Sequence, residues 1–101
     1  MKTFAFGKLE SDTDTWLLFS DQLIALDINS LNSFDSSLEH KTVSVVGTMG
    51  IPPSSPEIKL IVEKLASHID IAIRAYDIFL AGIGGSSNDH WLQAERELLA
   101  L

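Results

Sequence analysis

The stretch that decides the fold is residues 57–63, EIKLIVE, which can form either a fifth β-strand or the start of a helix. Apolar side chains occupy positions 58, 60 and 62, whereas Lys59 and Glu63 lie on the other side of an extended chain. This alternation is typical of a strand with one buried face. We therefore predict a strand over 57–66. A helix over the same residues is the alternative, and it would leave a four-stranded barrel.

The chain before this stretch predicts further strands. Aromatic and β-branched residues dominate segments that are separated by polar turns, as is typical of β-structure. These segments are FAFG (4–7), WLLF (16–19), LIALDI (23–28) and TVSVVGT (42–48). Gly7 predicts a bulge or bend, and the SDQ sequence at 20–22 predicts a tight hairpin. The polar residues 29–40 carry Leu31, Phe34 and Leu38 at helical spacing, which predicts a short helix.

The predicted order is strand, strand, strand, short helix, strand, strand. It is the order of the OB-fold, a five-stranded Greek-key barrel. We therefore predict an α+β fold, with an OB-like barrel over residues 1–66 and a helical hairpin over 67–101, docked together as one compact unit. Several strands carry apolar residues on both faces, and a small barrel buries only its inner face. The hairpin is expected to cover the outer residues.

The C-terminal third has the periodicity of two helices. Apolar residues recur on one face of the first helix, at positions 69, 72, 73, 76 and 80. Ser67 is suited to cap its start, and Gly82 to end it with a positive φ. Asp70 and Arg74 have the spacing of an i,i+4 ion pair. In the second helix, Trp91, Ala94 and Leu98 share a face, and a cap at Asn88 or Asp89 is expected.

Two motifs in this part of the chain are Arg74-Ala75-Tyr76 and, after a glycine-containing loop, Trp91-Leu92-Gln93-Ala94-Glu95. Their sequence and order resemble the bacterial domain-of-unknown-function family 2934. The resemblance implies a bacterial source and a compact helical hairpin with Arg74, Tyr76, Trp91 and Glu95 as its structural motif, and it carries no activity. Tyr76 and Trp91 are expected to pack the hairpin against the barrel. The first 65 residues resemble bacterial OB-fold proteins more loosely.

Composition limits the possible functions. The chain has 101 residues, 7 basic and 14 acidic side chains and no cysteine, so its net charge is −7. This balance disfavours strong binding to phosphate backbones, and the lack of cysteine excludes disulfides and thiol chemistry. No apolar run approaches the roughly 18 residues of a membrane helix. Lys8 and Glu10 interrupt any export signal at the N-terminus, which predicts a cytoplasmic protein.

No catalytic, metal-binding or cofactor-binding motif stands out. The acidic turn with Glu10, Asp12 and Asp14 lacks the continuation of an EF-hand loop. The histidines, at positions 40, 68 and 90, have no second His at metal-ligand spacing and are expected to be surface or capping residues. No serine lies in a nucleophile elbow, and the glycine-rich loop at 82–87 lacks the lysine of a phosphate-binding loop. We therefore predict a non-enzymatic protein without a metal or cofactor.

Two binding functions remain. The first is a protein-interaction module that binds a protein partner or a second copy of itself. The alternative is weak binding of single-stranded nucleic acid on the barrel, with Trp16 and Phe19 as stacking platforms and Lys8 and Lys41 as charges. The acidic composition weighs against the alternative. Trp16 and Phe19 are expected to serve instead in the core or under the hairpin.

Overall fold

The computed structural model describes residues 2–13, 15–31, 33–53 and 55–100. These residues form an α+β fold with five strands and two helices. In chain order they are β1 (Thr3–Asp12), β2 (Thr15–Phe19), β3 (Leu23–Asp27), β4 (Thr42–Gly50), β5 (Lys59–Ser67), α1 (His68–Leu80) and α2 (Ser87–Leu99). The strand predicted over 57–66 is confirmed from Lys59 onward as β5, whereas Ile58 precedes the strand and is exposed. The helical alternative is wrong. Asp14, which we assigned to the acidic turn, lies outside the described residues.

The five strands form one sheet that closes on itself in the order β1-β2-β3-β5-β4, with β4 paired to β1. The long strand β1 makes this closure possible because it pairs with β4 over residues 3–8 and with β2 over residues 8–12. Neighbouring strands are antiparallel except β3 and β5, which run parallel. The hairpin predicted at 20–22 joins β2 to β3.

Glycines allow two close approaches between strands. Gly7 stays in register opposite Val43, and a Cβ at this position would overlap the Phe19 carbonyl. The bulge expected at Gly7 lies instead in β5, where Glu63 is the extra residue opposite Val46 and Gly47 of β4. A Cβ on Gly47 would overlap the backbone of β5. Glycine is therefore needed at both positions for room rather than for an unusual φ.

The interior of the closed sheet is the first hydrophobic core. Alternate residues of the strands point inward and are almost completely buried, as the period of two requires. They are Leu9, Leu18, Leu26, Val43, Val45, Leu60 and Val62. Trp16 and Phe34 pack at the edge of this cluster with ring centroids 4.8 Å apart, edge to face. The expectation that Trp16 contributes to the core is confirmed.

A second core lies between the helices and the outer face of the sheet, and both helices contact β4 and β5. It contains Val46, Ala66, Ile71, Ile78, Ala94 and Leu99. Strand β4 is therefore buried on both faces. The outer faces of β2 and β3 receive no such cover: Phe19 and Leu23 are both more than half exposed. Phe19 was expected to be buried in the core or under the hairpin, and that expectation is wrong.

Among the described residues of the segment predicted as a helix over 29–40, helical structure is limited to one short turn of 3-10 helix, η1 (Ser36–Leu38). Asp35 caps this turn by accepting a hydrogen bond from the Ser37 amide at 2.9 Å. Side chains of Asp, Asn and Ser compete with helix formation in this way because they bond to nearby backbone groups. The apolar residues that suggested a helix, Leu31, Phe34 and Leu38, pack instead against the core within the sheet.

Local signals at the helix ends are mostly confirmed. Ser67 caps α1 by accepting from the Asp70 amide, and Gly82 follows α1 with a φ of 78°. The cap of α2 is Ser86 rather than Asn88 or Asp89, because Ser86 and Asp89 form a reciprocal capping box. Hydrogen bonding with Ser86, whose amide donates to the Asp89 carboxylate, lowers the pKa of that carboxyl. Within the described part of the chain, no helix is long and apolar enough to cross a membrane.

Candidate interaction surface

Helix α1 exposes an uninterrupted apolar surface, here called the α1 stripe. It consists of Ile69, Ala72, Ile73, Tyr76, Phe79 and Leu80, all of which are exposed. The five large side chains are each between 57% and 62% exposed. Ile83, in the loop after the helix, is also exposed. The stripe itself contains no charged residue.

The apolar face at positions 69, 72, 73, 76 and 80 is predicted from periodicity to pack inward, but in the structure it is exposed as part of the α1 stripe. The residues that pack inward are Ile71 and Ile78, with Ala75 beside them. Tyr76 does not pack the hairpin against the sheet, because it lies on the exposed stripe with its ring 6.2 Å from that of Phe79. Since α1 is apolar on both faces, periodicity alone could not determine which face packs inward.

Arg74 of the hairpin motif connects the two helices. Its guanidinium donates two hydrogen bonds to the Glu97 carboxylate, at 2.9 Å and 3.0 Å. This bidentate contact replaces the predicted ion pair with Asp70. It raises the pKa of Arg74 and lowers that of Glu97. Because both side chains remain partly exposed, the pair is expected to orient the helices more than to stabilise them.

An apolar groove borders the α1 stripe where α1 meets α2. The groove has a volume of about 390 Å³. Its lining includes Ala72, Phe79 and Trp91, with His90 at the loop end. His90 is buried and its Nε2 donates to the Ile83 carbonyl at 2.9 Å, which ties the loop to α2. The expectation that His90 is a surface or capping residue is therefore wrong.

Three polar residues that are distant in sequence meet beneath the hairpin. Ser44 of β4 is fully buried, and its hydroxyl donates to Glu95 of α2 at 3.1 Å. His68 Nε2 lies 2.9 Å from the same hydroxyl oxygen. Because the single hydroxyl proton is directed at Glu95, Nε2 must act as the donor to Ser44. In a catalytic triad the imidazole accepts the serine proton, so this order of donors differs from that of a triad.

The same network fixes the position of the hairpin on the sheet. The His68 ring packs edge to face against Trp91, with centroids 5.1 Å apart. Burial lowers the pKa of His68, although the Glu95 carboxylate opposes the shift. A neutral imidazole is consistent with a donor role toward Ser44. Trp91 and Glu95, both predicted as parts of the hairpin motif, therefore lie where α2 meets the rest of the fold.

The residues proposed from sequence for nucleic-acid binding are only partly brought together. Lys8 and Phe19 are direct register partners on the outer side of β1 and β2. Phe4 and Phe6 are exposed on β1 as well, with rings 6.3 Å apart. Lys41 immediately precedes Thr42, the residue paired with Lys8 in β4. Trp16 lies at the other end of β2 and belongs to the core edge.

A small polar cluster was not anticipated from the sequence. One ligand atom each from Glu10, Glu39 and His40 lies within 4.8 Å of the others. His40 Nδ1 is 2.7 Å from Glu10, and a backbone hydrogen bond from His40 to the Leu9 carbonyl joins the two segments. Carboxylate and imidazole groups can bind divalent cations. The Lys8 ammonium lies 3.5 Å from Glu10, however, and supplies a competing positive charge.

No protein-family model, curated protein sequence or solved structure matches this chain.

Proposed function

We propose that this protein is a non-enzymatic interaction module that binds another protein or a second copy of itself through the α1 stripe. The observation that carries the proposal is the orientation of α1, which leaves five large apolar side chains exposed side by side. At about 60% exposure they present on the order of 450 Å² of surface, taking for each side chain about 150 Å², the lower end of the range for an aromatic residue. Patches of this size commonly mark interaction sites.

The proposed scaffold is an OB-like Greek-key barrel carrying a C-terminal helical hairpin. The closed strand order β1-β2-β3-β5-β4 and the irregular segment before β4 support this assignment. The resemblance of the hairpin motifs to the bacterial family of unknown function remains a proposal, as does the cytoplasmic location. The buried Ser44 is not placed to act as a nucleophile, because its hydroxyl is inaccessible to a substrate and its proton is directed at Glu95.

The test uses two leucines of similar exposure on different surfaces. Leu80 lies in the α1 stripe and is 62% exposed, whereas Leu23 on β3 is 56% exposed. Sedimentation velocity over a wide concentration series measures self-association, and amide NMR shifts on adding synthetic amphipathic helices measure partner binding. We expect either self-association or binding of a helical peptide. That signal should be lost in Leu80→Gln and retained in Leu23→Gln. A strict monomer whose stripe resonances respond to no helical peptide would refute it.

A second candidate function is weak binding of single-stranded nucleic acid. It is favoured by the exposed aromatic rings of Phe4, Phe6 and Phe19 near Lys8. Aromatic platforms beside a positive charge are what base stacking requires. The ion pair of Lys8 with Glu10 and the net charge of −7 weigh against high affinity. A titration with short single-stranded oligonucleotides at low salt should shift these β1 and β2 resonances reversibly, and a silent spectrum would exclude this function.

A further inference from the structure

The α1 stripe has the spacing of a helix-pairing seam. Its central residues are Ile69, Ile73, Tyr76 and Leu80, which follow one another at intervals of four, three and four. Alternating intervals of four and three residues are the a/d pattern by which one helix packs along another. The opposite face of α1 is already occupied, since Ile71 and Ile78 pack in the second core. The exposed side of α1 therefore has the side-chain spacing that packs against another helix.

The two edges of this seam differ chemically. One edge is formed by Ala72 and Phe79 and continues into the apolar groove between α1 and α2. The other edge carries Asp70 and Asp77, one heptad apart, and both are exposed. Each aspartate directly follows a seam residue, so it lies where flanking charges select the partner of a paired helix. The groove can receive an apolar side chain, whereas the aspartate edge favours a positively charged one.

The negative charge of this edge is offset only in part on α1, where the positive charge of Arg74 interacts with Asp77. Arg74 is the nearby cation on α1, and Glu97 already holds it through two hydrogen bonds. The four side chains Asp70, Arg74, Asp77 and Glu97 therefore carry two net negative charges. Antiparallel pairing of two identical α1 helices would bring the two aspartate edges together, and like charges at such positions are unfavourable. The net charge of −7 adds long-range repulsion between copies.

We propose that the seam binds an amphipathic helix of another protein, whose apolar face is flanked by Lys or Arg residues that pair with Asp70 and Asp77. This inference rests on the proposed function, because it names the chemistry of the partner for the same surface. Apolar contact along the seam provides most of the affinity. The flanking charges set the preference among partner helices and the association rate.

The experiment uses two synthetic peptides of three heptads with Leu along the seam. One carries Lys at every flanking position, and the matched control carries Glu at the same positions. Each is titrated into the isotope-labelled full chain while amide shifts are followed. We expect shifts at residues 69–80 and about tenfold tighter binding of the Lys peptide, the factor produced by a few exposed ion pairs. Added salt should reduce the difference in affinity between the two peptides, because it screens the ion pairs.

The double variant Asp70→Lys/Asp77→Lys should reverse the preference in favour of the Glu peptide. Because Asp70 lies in the first turn of α1, where a negative charge favours the helix, circular dichroism must show that α1 is retained. Asp77→Lys alone is the second variant. It should reduce the difference in affinity between the Lys and Glu peptides, and it leaves the first turn of α1 unchanged. Unchanged preference in both folded variants would overturn the assigned charge pairing.

The remaining outcomes separate this inference from the proposed function. Equal affinity for the two peptides, or preference for the Glu peptide, overturns the inferred partner chemistry but leaves the stripe as an interaction surface. Self-association that is lost in Leu80→Gln, without binding of either peptide, shows that the occupant is a second copy and also overturns the inference. A strict monomer that binds neither peptide overturns both.

Discussion

Two isoleucines on the same helix allow the orientation of α1 to be tested by identical substitutions. Ile71 is fully buried in the second core, whereas Ile73 lies in the α1 stripe and is 57% exposed. Replacing a buried isoleucine by alanine removes its transfer free energy and leaves a cavity, which together cost about 2–5 kcal/mol. Alanine has a higher helix propensity than isoleucine, which stabilises the helix by up to about 0.5 kcal/mol at either position.

We therefore predict that Ile71→Ala lowers the free energy of unfolding by about 3 kcal/mol, which corresponds to a fall in Tm of roughly 15 °C for a domain of this size. Ile73→Ala should change the same free energy by no more than about 0.5 kcal/mol, because its side chain remains largely in water. Equilibrium unfolding in urea, followed by tryptophan fluorescence and far-UV circular dichroism, measures both values. The slope with denaturant should stay the same in both variants.

The comparison can fail in two informative ways. A cost for Ile73→Ala similar to that for Ile71→Ala, at low protein concentration, would mean that the stripe is buried within the monomer and that α1 is rotated relative to the orientation described above. A cost that increases with protein concentration would instead reveal a second copy covering the stripe, since association stabilises the folded state by mass action. The first result would refute the exposed orientation of α1, whereas the second would identify a second copy as the occupant of the stripe.

Three further predictions concern local contacts. Gly47→Ala should lower the free energy of unfolding by about 1–3 kcal/mol, because the new Cβ forces β4 away from the backbone of β5. Gly84 has open space around it, so Gly84→Ala is the control and should be neutral. Equal effects of the two substitutions on the unfolding free energy would contradict the close approach of β4 and β5. Ser86→Ala should cost about 1 kcal/mol through loss of the α2 cap, measured by thermal melting against Ser87→Ala as a near-neutral control. Burial lowers the pKa of His68 from 6.5, so the folded state binds fewer protons than the unfolded chain. The contribution of neutral His68 to stability is therefore present above pH 6.5 and is lost as the pH falls below that value. Urea unfolding across this range should show a weaker pH dependence in His68→Gln, and an unchanged dependence would assign the effect to another group.

Most of the secondary structure could be predicted because its signals are local. The alternation at 57–63 correctly indicated β5, and the cap at Ser67 and the positive φ at Gly82 followed from residue chemistry within one turn. The helix expected over 29–40 failed for a related reason. Its helical spacing of apolar residues was real, but the packing of those residues on the core and the local bonds of Asp35 determined the conformation.

The candidate surface could be predicted only in part. The apolar periodicity of α1 identified the residues of the stripe, yet it could not show whether they face the sheet or the solvent. Contacts of high sequence separation decided this, because Ile71 and Ile78 fit against Val46 and Ala66 of the sheet. The same applies to Ser44, His68 and Glu95, which have no common motif in the sequence and meet only through packing of the hairpin on β4.

The sequence alone therefore determined the order of the strands, the two helices, most of their ends and the excess of apolar residues over what one small core can bury. Those properties depend on the period of side chains along a strand or helix and on capping chemistry, which act over a few residues. Only the tertiary structure decided which excess residues are covered and which remain exposed on α1 and on the outer side of β1 and β2. That choice depends on steric fit between surfaces that are distant in the chain, and a one-dimensional pattern does not encode such fit directly.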